Sequence, residues 1–114
     1  MKKFIYLFIL FFSLLNTQSL AKENIMILKL KYGPVEIELY PEKAPEHVKR
    51  FKELSDSGKY DNVVFHRVID GFMAQTGDVK YGNTNSQDFN LSLAGTGGSD
   101  LPNVKAEFTD IAHT

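Results

Sequence analysis

A mainly β fold is what this sequence predicts: a closed antiparallel β-barrel capped by helices. Three observations carry that expectation. Val35-Glu36-Ile37-Glu38-Leu39 alternates strictly between apolar and acidic residues, the period of a strand with one face on a core and one in water. Val63 to Ile69 is dominated by β-branched and aromatic residues and runs into the turn dipeptide Asp70-Gly71, which marks a hairpin. Helical spacing is confined to Pro45–Ser57. Strands in hairpins plus one helix point to a closed sheet with helical caps.

Residues 1–21 stand apart from that fold. Lys2 and Lys3 form a basic start, Phe4 to Leu15 is apolar apart from Ser13, and Ser19-Leu20-Ala21 has the small residues of a cleavage site. This is the pattern of a secretory signal peptide. Its apolar run is shorter than the roughly 20 residues a transmembrane helix needs; an uncleaved anchor is the alternative. Cleavage after Ala21 leaves residues 22–114 as a single domain without internal repeats. The bacterial style of the leader points to the periplasm. Cysteine is absent, which excludes a disulfide framework, a thiol nucleophile and a thiolate metal site. The formal net charge of −1 becomes more negative once Lys2 and Lys3 are removed, so nothing suggests a nucleic-acid partner.

The elements follow in order. Asn24 to Lys31 reads as a first strand, Tyr32-Gly33-Pro34 as a turn, and Val35 to Leu39 as the returning strand. Val35, Ile37 and Leu39 face the core and the two glutamates face water. Pro41 to Ala44 is a loop, and Pro45 suits the first turn of a helix. Val48, Phe51 and Leu54 give that helix one apolar stripe, read as core, and Gly58 is placed to end it. His47 lies beside the stripe on a solvated face. Phe72 to Thr76 returns from the Asp70-Gly71 turn. Val79 to Asp100 is a long stretch rich in Gly, Asn, Ser and Thr, and such loops are usually functional or mobile. Val104 to Phe108 reads as a last short strand, and His113 carries no inference.

Arg67 is the unusual residue. A cation on a buried strand face must be paired or serve a purpose, because desolvating it alone is costly. The hairpin can present the Arg67 guanidinium, the Gln75 amide and the apolar Phe72 and Met73 on one surface. From the residues alone, an arginine paired with a carboxylate such as Asp70 or Glu107 is the competing reading.

Phe65-His66-Arg67-Val68-Ile69, the short turn, and Phe72-Met73-Ala74-Gln75-Thr76-Gly77-Asp78 together resemble the signature of the cyclophilin family of peptidyl-prolyl isomerases. Gly95-Thr96-Gly97-Gly98 fits the family's glycine-rich loop, and Lys80 to Ala94 looks like an insertion of the kind some bacterial members carry. As a phosphate loop the glycine run is weak, since no Gly-Lys-Ser/Thr follows it. The resemblance covers nearly all of residues 25–114.

It implies the closed barrel and an isomerase that accelerates rotation about Xaa-Pro bonds and assists protein folding in the periplasm. The expected partners are proline-containing segments of unfolded or folding proteins. The expectation is a monomer with no cofactor or metal, and, from the charge balance and the cleavable leader, no nucleic acid and no stable membrane insertion. Arg67 matches the family's catalytic arginine. Phe72 and Met73 match positions lining the proline pocket, and Gln75 matches the position that bonds the substrate backbone and orients the arginine. His66, more structural than catalytic, and Gly95 and Thr96 match positions near the substrate groove.

The family continues past the equivalent of Ala106-Glu107-Phe108 into Arg-Gly, Met-Ala and Gln-Phe-Phe segments. One wall of the pocket is therefore expected beyond Thr114, with unpaired strand edges, low stability and reduced activity in the chain as it stands. A non-catalytic module that grips proline segments is the main alternative. A sugar- or nucleotide-binding β domain using the glycine-rich loop lacks supporting acidic pairs, basic clusters or a metal constellation.

Overall fold

The computed structural model describes residues 24–112. The signal peptide and cleavage site expected within residues 1–21, and His113, lie outside them. Two compact units emerge. Among the described residues, one comprises 24–48 together with 108–112; the other is Lys49–Glu107.

In the first unit, β1 (Ile25–Leu30) pairs antiparallel with β2 (Gly33–Glu38). Leu30 lies across from Gly33, so the turn is Lys31-Tyr32, one residue earlier than expected. Gly33 has φ of +128°, a conformation other residues resist, and this lets the ladder begin at once. Met26 lies opposite Ile37 and Leu28 opposite Val35, so these four share a face. Met26, Leu28, Ile37 and Leu39 are half-buried and the glutamates are exposed, as the alternation requires. Val35 departs from expectation at 45% exposed, because a two-stranded sheet brings no third strand over it. Lys43 forms an ion pair with Asp110 in the same unit.

Helix α1 (Pro45–Asp56) starts with Pro45, whose missing N–H costs nothing there, and with Glu46 in the first turn, where a carboxylate suits the helix dipole. It ends in a Schellman motif. Lys59 N–H donates to Leu54 O at 2.9 Å and Gly58 N–H to Ser55 O at 2.9 Å, with Gly58 at φ +70°. Val48 and Leu54 are each 7% exposed. Phe51, expected between them in the core stripe, is 43% exposed, with its ring tilted against Tyr60 at 6.0 Å.

The second unit holds β3 (Arg67–Ile69) and β4 (Met73–Gln75), again antiparallel. The ladder is shorter than the expected Val63–Ile69 strand because Val63 and Val64 pair elsewhere: Val63 bridges Asn83, and Val64 N–H donates to Gly82 O at 2.9 Å. Val104–Phe108 is not a strand. Nothing among the described residues offers it a ladder; just before it, Arg50 Nη1 donates to Pro102 O at 2.7 Å. The described residues thus form two separate two-stranded sheets and one helix, with more strand than helix. The closed barrel expected from sequence is not seen among them.

Candidate active site

The β3–β4 register sets the site. Arg67 lies across from Gln75, Val68 from Ala74 and Ile69 from Met73. Opposed residues, and residues two apart, share a face. Arg67, Ile69, Met73 and Gln75 therefore leave one side of the hairpin together, Val68 and Ala74 the other. Met73 and Gln75 are half-buried and Arg67 is exposed. Among the described residues the Arg67 side chain makes no ion pair or hydrogen bond, so neither Asp70 nor Glu107 neutralises it.

Phe72 is not on the returning strand. Its N–H donates to Ile69 O at 3.1 Å, closing a turn with Asp70 and Gly71 at the centre. Gly71 has φ of +68°, as the third position of a type II turn demands. Phe72 is thus the last turn residue, at the hairpin tip and 78% exposed.

His66 immediately precedes β3, and its backbone N–H donates to Gln75 O at 3.1 Å. Both ring nitrogens are buried without a hydrogen-bond partner among the described residues, which costs about 1–3 kcal/mol for each unsatisfied group. The ring lies against Gly95: a Cβ there would sit 2.7 Å from His66 Nε2, and Gly95 has φ of +98°. Thr96 is exposed, and its hydroxyl donates to Leu93 O at 2.7 Å within its own turn. The structure therefore groups Arg67, Met73 and Gln75 on one face and joins His66 to Gly95, while Phe72 and Thr96 stand at the tip and on the loop surface.

Asp78 is the residue that sequence reasoning missed. It is 4% exposed. Its Oδ1 accepts N–H bonds from Lys80 at 3.0 Å and Tyr81 at 2.9 Å, and its Oδ2 from Gly95 at 2.7 Å and Gly97 at 2.9 Å. Burial by itself raises the carboxyl's proton affinity. The Tyr81, Gly97, Gly95 and Lys80 donors outweigh it together, and the pKa falls below the ordinary 3.8. Its bonds to the residues two and three ahead are the usual local habit of aspartate and were the one available clue. The long Val79–Asp100 loop is accordingly a set of turns fastened to this carboxylate.

A cavity of about 490 Å³ lies elsewhere in this unit, lined by Leu54, Lys59, Lys80, Asp88 and Asp100 among others, and it includes none of the Arg67 face. Among the described residues no group of three or more His, Asp or Glu could hold a metal ion.

The family model described as cyclophilin type peptidyl-prolyl cis-trans isomerase/CLD matches residues 25–113. The chain belongs to the cyclophilin family. A probable peptidyl-prolyl cis-trans isomerase of Brucella suis biovar 1 is 55% identical over 87 residues, 76% of this chain and 44% of that protein. Its counterpart in Brucella abortus strain 2308 is 54% identical over the same shares. A peptidyl-prolyl cis-trans isomerase-like 2 of Cryptococcus neoformans is 55% identical over 47 residues, 41% of this chain and 8% of that protein. The chain thus spans less than half the length of these cyclophilin relatives. No solved structure matches it.

Proposed function

We propose that this chain carries the catalytic hairpin of a peptidyl-prolyl cis-trans isomerase. Rotation about a peptide bond faces a barrier of about 18–20 kcal/mol from its partial double-bond character, and Xaa-Pro bonds turn over slowly unaided. No nucleophile is needed. What is needed is a site that binds the twisted amide better than either planar form. As the amide twists, the prolyl nitrogen recovers a lone pair and becomes an acceptor. Arg67 donates to that nitrogen, an interaction almost absent from the planar ground state. A guanidinium suits this task because it stays charged and its fork is rigid.

Met73 and Phe72 hold the proline ring, and Gln75 bonds the substrate backbone and steadies the arginine. Gly95 and Thr96 border the groove. The observation that carries the reading is the Arg67 guanidinium, without a partner among the described residues, standing across the ladder from Gln75. We further propose that the two hairpins belong to a closed antiparallel barrel. The protein, on this reading, is exported through residues 1–21 and acts as a monomer on proline-containing segments of folding proteins in the periplasm.

The 78% exposure of Phe72 favours a second reading, in which the open face grips proline segments without turning them over. Titration with an Ala-Pro peptide, following both binding and cis/trans exchange by NMR, separates the two. Binding with accelerated exchange supports the isomerase; binding at the uncatalysed exchange rate supports the module.

A further inference from the structure

We propose that Asp78 is a positioning residue of the isomerase site: it clasps the Gly95–Gly97 loop onto the His66 ring and so fixes the start of the strand that carries Arg67. The clasp stands on geometry alone; its kinetic consequence rests on the isomerase reading.

A buried carboxylate requires donors, and Asp78 takes four backbone N–H groups from two separate segments, Lys80-Tyr81 and Gly95–Gly97. Among the described residues no cation shares it, and its four side-chain hydrogen bonds all hold loop backbone. The glycines are cut to fit around it. A Cβ on Gly97 would lie 2.7 Å from Asp78 Oδ1 and 2.8 Å from the Tyr81 ring, and one on Gly82 would lie 2.6 Å from Asp78 O. Backbone can approach this closely only without side chains.

The loop so held covers His66. Both imidazole nitrogens are buried and without a partner among the described residues, and buried unpaired polar groups persist only where the surrounding structure over-determines them. The Asp78 bonds to Gly95 and Gly97 supply that determination. His66 in turn is the residue before Arg67, and its N–H bonds Gln75 O at 3.1 Å. The seat of its ring therefore sets where β3 meets β4. Releasing the loop frees His66 first and loosens Arg67 next.

The test is carbethoxylation of the whole chain by diethyl pyrocarbonate, comparing His66 with the half-buried His47 as internal reference, together with the amide shifts of Gly95 and Gly97. Wild-type His66 reacts about tenfold or more slowly than His47, since exposing it requires breaking charge-assisted bonds. Asp78→Asn, which keeps the size but turns an amide NH2 toward two N–H donors, removes most of that protection and moves both glycine amides. Gly95→Ala keeps the carboxylate but places a methyl against Nε2, and gives the same deprotection. A wild-type His66 as reactive as His47 overturns the proposal, as does undiminished protection in either folded variant.

Should Asp78→Asn lose the amide-exchange protection of α1, the decision passes to Gly95→Ala and to the wild-type rate, each sufficient to refute. The kinetic arm separates this inference from the isomerase reading. A chain showing the clasp without isomerisation supports the clasp and contradicts that reading. A chain that isomerises with kcat/KM unchanged in Asp78→Asn contradicts the positioning role; the expected fall is about tenfold, carried mainly by kcat, as a misplaced donor implies.

Discussion

Arg67 and Gln75 are cross-strand partners in the β3–β4 ladder, so a charged donor and a neutral amide leave the same face of one hairpin side by side. Met73, two residues before Gln75, shares that face. On the proposed isomerase reading, the arrangement offers a twisting prolyl amide a charged donor beside an apolar surface. Because Arg67 has no carboxylate partner among the described residues, its charge is not already spent.

Phe72 is expected to matter for substrate and not for stability. At 78% exposed it contributes little to folding, so Phe72→Ala shifts stability by no more than about 0.5 kcal/mol. Its loss weakens proline-peptide affinity about tenfold, the equivalent of leaving part of an aromatic surface unburied. Thermal unfolding and peptide titration of the same variant check both halves.

Removing Asp78 leaves four backbone N–H groups without their acceptor. Asp78→Ala therefore destabilises by about 3 kcal/mol, read by denaturant unfolding. The same carboxylate gives an acid dependence. Its pKa is lower in the folded chain than the ordinary 3.8, so its contribution is complete above the unfolded value and is lost as pH falls through the folded one. The wild type loses stability below about pH 4, and Asp78→Asn follows a flatter curve there. Parallel curves would count against the clasp. Asp110, held down by Lys43, titrates in the same direction but is exposed and screened by salt.

Two adjacent glycines should respond unequally to alanine. At Gly97 the new methyl meets Asp78 Oδ1 at 2.7 Å; at Gly98 it meets nothing within 4 Å. Gly97→Ala costs about 1–3 kcal/mol by overpacking, whereas Gly98→Ala stays within about 0.5 kcal/mol. Melting temperatures of the pair decide it.

Gly58→Ala tests the helix end. Gly58 has φ of +70° and closes the Schellman motif, so alanine there costs about 1 kcal/mol, seen as a lower melting temperature and reduced helicity.

Much of this was legible in the sequence because it is periodic. The alternation of Val35 to Leu39 located β2, the spacing of Val48 and Leu54 located α1, and Asp70-Gly71 located the hairpin turn. The errors are local. Gly33 has the composition of a turn, yet its backbone conformation lets it pair with Leu30. Phe72 has the composition of a strand, but the turn needs it as the fourth residue. Val104–Phe108 has strand composition without a described partner, and composition cannot supply a ladder. Asp78 was opaque for a different reason: its decisive donors lie 17 and 19 residues further along the chain, a distance no local pattern encodes.

The most direct test of the account is Arg67→Ala, with the cis/trans exchange rate of an Ala-Pro peptide measured beside the variant's thermal unfolding. The account predicts a loss of about 100-fold or more in catalysed exchange, the usual cost of deleting one transition-state donor, with stability unchanged because the exposed side chain holds no partner among the described residues. Retained exchange accompanied by lost stability would contradict it, and would make Arg67 a structural residue of the hairpin.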